Sequence, residues 1–171
     1  MLVLTMAPEA PQERDRFTRM YQMHRKLMFH IAGRILKNPQ DMEDAVQQAL
    51  LYLAEHFNKV GSLESRKTRA YIAVVTEHAA IDLLRERKRH AAEDYDELML
   101  IVPEFPIDDP LGEALGRLPA NYRQALLLRY ACGYGVGEVA DMFGVGYDAA
   151  RKLIARAKKA LEKELEEKEN G

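Results

Sequence analysis

A cluster of basic side chains near the end of the chain has the residue types and the spacing to bind a nucleic acid. Residues 150–160 contain no acid, and their basic side chains are Arg151, Lys152, Arg156, Lys158 and Lys159. The turn Gly144-Val145-Gly146 precedes this cluster and follows a short helical segment from about Val136 to Phe143. A short helix, a glycine-containing turn and a longer helix form the helix-turn-helix pattern. An amphipathic helix with a solvated basic face is the alternative, but the spacing of the turn favours DNA binding.

The second helix of this pattern is predicted from Tyr147 to about Lys168. In a helix-turn-helix, the N-terminal part of that helix lies in the major groove and its side chains reach base edges, while basic residues further along favour phosphates. The expected DNA-contacting residues are Tyr147, Asp148, Ala149, Arg151, Lys152, Arg156 and Lys159. Packing between the two helices is expected from Val139, Ala140, Val145, Ala150 and Ile154.

The residue patterns of common enzymes are missing from the sequence. It has no P-loop, GxGxxG, HExxH or GxSxG motif. The five histidines are scattered, and the single Cys132 resembles a small buried residue at a helix end more than a nucleophile. We therefore expect neither catalysis nor a metal or cofactor.

The net charge of −2 conceals an uneven distribution along the 171 residues. Residues 1–90 have 15 basic and 11 acidic side chains, residues 91–116 have eight acids and no base, and residues 117–171 have ten basic and eight acidic side chains. An acidic segment therefore joins two mildly basic blocks, although a simple solvated linker would show the same acidic run.

The composition excludes several classes of protein. A single cysteine rules out a disulfide framework and a Cys-rich zinc site, and 47% hydrophobic residues are too many for a disordered chain. No apolar run approaches the roughly 18 residues that a membrane helix needs, and the N-terminal residues lack the pattern of a signal peptide. We expect a cytoplasmic protein.

Prolines divide the chain at the same place as its charges. None occurs between Pro39 and Pro103 or after Pro119, and both proline-free blocks show helical periodicity. We predict an all-α fold of two small helical domains joined by an acidic linker. The predicted parts are an N-terminal tail at 1–14, a helical domain at 15–90, the linker at 91–110 and a helix-turn-helix domain at 111–171.

Three helices are predicted in the first block, at about 17–36, 39–57 and 66–90. The second would begin with a capping box, in which Asn38 is the N-cap and Asp41 its partner. On the third, Asp82 falls within the apolar stripe by helical angle, so we expect it to have a buried partner. This helix ends in a basic cluster that either complements the helix dipole or binds DNA: Arg85, Arg87, Lys88 and Arg89.

Several stretches carry a family resemblance. The stretch 41–49, D-M-E-D-A-V-Q-Q-A, is similar to a D-A-E-D-x-x-Q-E pattern, and 80–89, A-I-D-L-L-R-E-R-K-R, is similar to A-I-D-x-x-R-x-R-K-R. Both patterns belong to region two of the bacterial extracytoplasmic-function (ECF) sigma factors of RNA polymerase. In the second block, 118–130, 138–145 and 156–161 resemble region four of the same family. The resemblance covers about residues 15–90 and 111–165 and implies a sigma factor that directs core polymerase to promoters.

The resemblance also implies which residues of the first block meet each partner. The polar face of the helix at 39–57 would dock on the clamp helices of the polymerase β′ subunit, through Asp41, Glu43, Asp44, Gln47 and Gln48. The loop at 58–66 would capture a base flipped out of the −10 element, and the next helix would hold the −10 DNA. The implied −10 contacts are Asn58, Lys59, Ser62, Arg66, Lys67, Arg69, His78, Arg85, Arg87 and Lys88.

The second block, by the same resemblance, would read the −35 element and bind the polymerase β flap, while the linker threads through the polymerase. An anti-sigma factor is an implied partner. The sequence departs from the family pattern at Gln48, where Glu is usual, and at Glu77-His78, where Arg-Asn is usual on the helix that faces the −10 element. A standard −10 sequence is therefore not assumed.

A stand-alone helix-turn-helix regulator is the alternative function. It would bind an operator as a dimer, and the first block would then be an effector or dimerisation domain.

Overall fold

The structure is a computed structural model that describes residues 7–90 and 110–170, in which there are seven α-helices and no β-strand. We number the helices α1 Pro11–Ile35, α2 Pro39–Glu55, α3 Arg66–His90, α4 Pro110–Gly116, α5 Ala120–Leu126, α6 Val136–Phe143 and α7 Tyr147–Asn170. Contacts divide the chain into two units, Met1–Tyr95 and Asp96–Gly171. The predicted all-α fold is confirmed, and the predicted linker lies almost entirely outside the described residues. None of the helices in these ranges is apolar over a length sufficient to cross a bilayer.

The first unit is a bundle of α1, α2 and α3, in which α3 packs against both of the other helices. Every residue from Ala70 to Glu77 is buried, so this part of α3 is covered on all sides. A helix that is enclosed all round belongs to the interior of a bundle rather than to its surface. At one end of the bundle, the rings of Phe17 and Phe57 meet edge to face with their centroids 5.4 Å apart.

The observed helix starts differ from the predicted ones in two details. Helix α1 begins at Pro11, so its first turns include residues predicted to lie in the tail. These residues are exposed and show no apolar periodicity, so helical spacing did not predict this part of the helix. A proline is favourable in the first turn of a helix, which allows α1 to begin at Pro11. At α2 the N-cap is confirmed, because the Asn38 side chain accepts a hydrogen bond from the Gln40 N–H at 2.8 Å. Asp41, however, binds Arg87 and does not complete the expected capping box.

The expectation of a buried partner for Asp82 is wrong. Its side chain is 50% exposed and pairs with two residues of its own helix, His78 at 3.3 Å and Arg85 at 3.4 Å. The covering of α3 is complete only up to Glu77, so beyond that point the helix presents a polar side to water. A carboxylate is far better solvated there than among apolar side chains.

In the second unit, α5 and α4 both pack against α7. Helix α5 continues into a wider π-helical turn, Leu127–Ala131, which ends where the Cys132 N–H donates to the Leu127 carbonyl at 2.8 Å. Arg123 is fully buried, and its Nη1 donates to the Leu118 carbonyl at 3.0 Å. Near the end of α7, Lys168 binds Glu113 of α4 and lowers the pKa of that carboxyl group.

The turn between α6 and α7 is built on Gly144. Its φ of 65° is left-handed, and the N–H groups of Gly144 and Val145 donate to the carbonyls of Asp141 at 3.2 Å and Ala140 at 3.0 Å. This pair of bonds is the Schellman arrangement that ends a helix. Val145 was expected to pack between the helices, but it is 43% exposed because it lies in the turn itself. Val139, Ala140, Ala150 and Ile154 are buried as predicted.

Gly144→Ala is expected to lower the free energy of unfolding by about 1–2 kcal/mol, the cost of placing a Cβ in the left-handed region. No other atom lies within 4 Å of the site of that Cβ, so steric clashes add nothing. Urea unfolding followed by circular dichroism measures the change. Gly137→Ala in α6 is the matched control, because its Cβ also meets nothing within 4 Å. That change should stabilise the helix by about 0.5–1 kcal/mol, and equal effects of the two substitutions would contradict the role of Gly144.

Candidate nucleic-acid interface

The first four turns of α7 separate a buried side from an exposed basic side. Ala150, Ile154 and Ala157 are buried, and they lie at intervals of three or four residues along one face. The seven residues predicted to contact DNA are all exposed: Tyr147, Asp148, Ala149, Arg151, Lys152, Arg156 and Lys159. The small buried side chains hold α7 against α5 and α6 and leave the basic side accessible.

The start of α7 has the electrostatics of an anion-binding surface. Tyr147 is 59% exposed at its first position. Arg151 lies 3.9 Å from Asp148, but both side chains are mostly exposed, so this contact holds Arg151 only weakly. The backbone N–H groups of a helix's first turn have no partner within the helix, and they add positive potential at this end. This end of α7 can bind phosphates and can also reach base edges.

The polar face of α2 forms a second candidate surface. Glu43 and Gln48 are exposed on it, whereas Asp41, Asp44 and Gln47 are half-buried. Bonds within the helix order this face: Gln40 Nε2 donates to Asp44 Oδ1 at 3.1 Å, and Gln47 Nε2 donates to Glu43 Oε1 at 3.5 Å. Leu51, 41% exposed, extends the face with an apolar side chain. An ordered acidic surface beside an apolar residue is suited to a basic protein partner.

Asp41 and Arg87 join the polar face of α2 to the basic cluster at the end of α3. The Nε and Nη2 of Arg87 donate to Oδ1 of Asp41 at 3.2 and 3.0 Å, which ties the end of α3 to the first turn of α2. This hydrogen bond and the charge of Asp41 raise the pKa of Arg87. One predicted polymerase contact and one predicted DNA contact therefore neutralise each other. Arg85 is also paired, with Asp82, while Arg89 is exposed at the same end of α3.

The loop between α2 and α3 contains a 3₁₀ turn, Phe57–Lys59, and presents Asn58, Lys59 and Ser62 to solvent. Two residues of α1 that sequence reasoning missed hold its backbone. Arg16 donates to the carbonyls of Val60 and Gly61, and His24 bonds the Leu63 carbonyl. His24 continues the apolar spacing of α1, which was the available signal, whereas Arg16 gave none.

The predicted −10 residues lie along the length of α3 rather than in one cluster. Arg66, Lys67 and Arg69 are exposed in its first turn, which is capped by the Ser65 hydroxyl accepting from the Thr68 N–H at 3.1 Å. Arg85 and Lys88 lie at the other end, roughly 30 Å away at 1.5 Å per residue. Such a separation fits an elongated ligand.

The departure at Glu77-His78 changes the surface less than the sequence suggests. Glu77 is buried, so it does not face a DNA ligand. His78 is 17% exposed on its side chain, and its Nε2 lies 3.3 Å from Asp82. Only the histidine can therefore affect the base preference directly.

Within residues 7–90 and 110–170, no group of three or more His, Cys, Asp or Glu side chains is placed to hold a metal ion. The chemistry that these ranges present is that of polar and charged faces on rigid helices.

Comparison with known proteins identifies matching families for both blocks. Residues 20–90 match the family described as Sigma-70 region 2, and residues 108–161 match Sigma-70, region 4. The ECF RNA polymerase sigma factor SigM of Mycobacterium tuberculosis is 22% identical over 165 residues, which cover 91% of this chain and 80% of SigM. The RNA polymerase sigma factor SigV of Bacillus subtilis is 26% identical over 145 residues, which cover 83% of this chain and 86% of SigV.

Among solved structures, the sigma factor RpoE of Bartonella quintana, in complex with the anti-sigma factor NepR, is similar with a TM-score of 0.44 and 18% identity. The match covers 88% of this chain and 97% of that one.

The two family matches follow each other in the order of the sigma-70 regions and together span most of the chain. Sigma factors are initiation factors that bind core RNA polymerase and promoter DNA and have no catalytic activity of their own. The chain belongs to the sigma-70 family, and within that family it is an ECF sigma factor.

Proposed function

We propose that the second unit reads the −35 element through α7, and that the first unit binds core polymerase through α2 and the −10 element through α3 and the loop before it. The observation that carries this division is the basic side of α7, where every predicted contact residue is exposed directly after a helix-turn-helix turn. The corresponding domains are residues 15–90 and 111–171, joined by the acidic segment 91–110.

At the −35 element, residues in the first two turns of α7 meet base edges. Arg151 and Lys152 carry donors that suit guanine acceptors in the major groove, and Tyr147 and Ala149 offer apolar contact. Arg156 and Lys159 lie one to three turns further along and bind phosphates. The weak ion pair with Asp148 leaves Arg151 available to the DNA.

Core polymerase binds the polar face of α2. Glu43 and Gln48 are exposed there, and Asp44 and Gln47 are held in place by the bonds along the helix. The face has no basic residue between Gln40 and Leu51, so it complements a basic surface on the clamp helices. Asp41 contributes less than the others because Arg87 already neutralises it.

At the −10 element, the exposed side chains of the loop contact the unpaired strand and the basic residues of α3 hold its backbone. Asn58, Lys59 and Ser62 lie on the solvent side of the loop, next in the chain to Arg66, Lys67 and Arg69. His78, Arg85 and Lys88 extend the contact along α3, and Arg87 joins it when it leaves Asp41. Capture of a flipped base has to offset an unstacking cost of a few kcal/mol.

The protein acts in the cytoplasm, where core polymerase and DNA are, and is not an enzyme. We also propose an anti-sigma factor as a partner. An anti-sigma factor is bound to the solved relative RpoE, and the exposed faces of α2 and α7 are the surfaces that such a partner would cover. The stand-alone regulator is not better supported, because the sigma-70 match includes residues 20–90, which an isolated helix-turn-helix would not need.

Replacing Asp44 and Gln47 together by Ala should weaken binding to core polymerase about tenfold or more, because the docking face then lacks one charged and one polar group that contact the polymerase. Titration of core polymerase with labelled protein, followed by fluorescence anisotropy, measures the affinity. The matched control replaces Asp15 and Gln22, exposed on α1, by Ala. An unaltered affinity in the Asp44/Gln47 variant would rule out this docking face.

Failure of the wild-type protein to bind core polymerase would contradict the function itself. Run-off transcription by the reconstituted holoenzyme on a promoter library tests function and specificity together. It also yields the promoter sequences that the remaining experiments require.

Two substitutions in α7 should separate base contacts from phosphate contacts. Arg151→Ala is expected to cost about 1–3 kcal/mol on the preferred −35 sequence and to relax the preference at one base pair. Lys159→Ala should weaken binding to all DNA sequences alike and reduce the slope of log affinity against log salt by about 0.9. Holoenzyme binding to promoter duplexes with varied −35 elements, at several salt concentrations, measures both effects.

Lys163→Ala is the control for the charge change, since Lys163 is exposed on α7 one turn beyond Lys159. It should leave the salt slope unaltered. If Lys163→Ala and Lys159→Ala reduce the slope equally, the phosphate contact is not localised as proposed.

A further inference from the structure

We propose that Arg16 and His24 of α1 are positioning residues for recognition of the −10 element. They bind backbone carbonyls of the loop at 57–65, and so hold it in the conformation that turns Asn58, Lys59 and Ser62 outward. This inference rests on the proposed function, because it takes this loop to be a part of the protein that binds the −10 element. Arg16 and His24 themselves do not touch that DNA.

Arg16 contacts the loop in two ways. Its Nη2 donates to the Val60 carbonyl at 2.8 Å and to the Gly61 carbonyl, and its guanidinium lies 5.0 Å from the centroid of the Phe57 ring. Phe57 is buried against Phe17, the next residue of α1. The planar guanidinium therefore closes the middle of the loop against the end of the bundle with both hydrogen bonds and a cation–π contact.

His24 holds the far side of the same loop. It lies two helical turns beyond Arg16, is buried, and its Nε2 is 2.8 Å from the Leu63 carbonyl. A carbonyl can only accept, so Nε2 carries the hydrogen and donates it. Its Nδ1 is buried and has no hydrogen-bond partner among the described residues. The ring thus has one polar contact, and that contact is to the loop.

The loop has few bonds of its own that could replace these. Its backbone bonds are those of short turns, from the N–H of Lys59 to His56, of Val60 to Phe57 and of Ser65 to Ser62, at 2.9 to 3.2 Å. The carbonyls of Val60, Gly61 and Leu63 instead face the side chains of α1. Without Arg16 and His24, the loop would sample more conformations, and binding the −10 strand would then pay the cost of ordering it.

The arrangement places binding and positioning on opposite sides of one loop. Asn58, Lys59 and Ser62 are exposed, while the carbonyls between and beyond them are turned towards α1. The core-docking face on α2 and the reading face on α7 involve neither Arg16 nor His24. Loss of these two side chains should therefore affect the −10 step alone.

The experiment uses holoenzyme reconstituted from core polymerase and the full chain. The probe is a fluorescent non-template-strand oligonucleotide that carries the −10 element of a promoter recovered by the wild-type holoenzyme from the library. Arg16→Met, which keeps the aliphatic stem but removes every donor, should lower the affinity for this strand about tenfold. His24→Phe, which keeps a ring of similar size, should lower it about threefold, in line with one neutral hydrogen bond. The affinity of each variant for core polymerase should equal that of the wild type.

Two conservative variants separate positioning from general destabilisation. His24→Gln can again donate an amide N–H to the Leu63 carbonyl and should recover most of the strand affinity. Arg16→Lys keeps the charge and one donor but not the fork and should lie between the wild type and Arg16→Met. If Arg16→Met or His24→Phe does not fold, these two variants still decide the question: Arg16→Lys should bind the strand more weakly than the wild type because it has lost the fork, and His24→Gln should keep most of the wild-type affinity because it keeps the donor.

Arg19→Met controls for the loss of one positive charge, because Arg19 is exposed on the same helix. If Arg19→Met lowers the strand affinity as much as Arg16→Met does, the loss is a charge effect and the inference is overturned. Unchanged strand affinity in both Arg16→Met and His24→Phe would overturn it as well, and so would failure of His24→Gln to recover it. If the wild-type chain itself binds neither core polymerase nor any promoter, the proposed function fails instead, and that result is obtained before any variant is measured.

Discussion

The enclosure of α3 is the constraint on which the first unit depends. Because the residues from Ala70 to Glu77 are buried on every side, this stretch of the helix cannot contact a partner. Contacts with DNA have to come from the first turn of α3 and from the part that begins at His78; the two ends lie roughly 30 Å apart and are held at a fixed separation by a continuous helix. The loop before α3 and the basic cluster at its end are thus placed on one rigid element, and a bound strand can be contacted along its length.

Around this helix, long-range polar contacts set the position of the surface residues. Arg16 and His24 hold the loop at one end of α3, and Arg87 ties the other end to Asp41 on α2. In the second unit, small side chains and one glycine set the position of the surface residues. Ala150 and Ala157 let α7 lie close against its neighbours, and the left-handed Gly144 sets the angle at which it leaves α6. In both units, a few contacts behind the surface decide which way the basic side chains point.

Much of this could be predicted from local patterns. Helical periodicity placed α2, α3, α6 and α7, and the spacing of glycine and alanine placed the helix-turn-helix, because these features depend on residues only a few positions apart. Two of the errors concern the limits of burial. Asp82 shares a helical face with apolar residues but lies beyond the end of the complete covering, and Val145 lies in the turn instead of between the helices. Helical angle states which residues share a face, but it does not state where the neighbouring helix stops.

The fold class, the separation of two mildly basic blocks by an acidic segment, and the motifs of regions two and four could all be predicted from the amino-acid sequence. Each of these is a property of composition or of short spacing. Which polar groups meet became apparent only in the folded protein. Asp41 and Arg87 are 46 positions apart, Arg16 and Val60 are 44 apart, and His24 and Leu63 are 39 apart. Such pairs form because three helices and the loop between two of them pack into one bundle, and no local period of the chain encodes where a helix comes within hydrogen-bonding distance of another helix or of a loop.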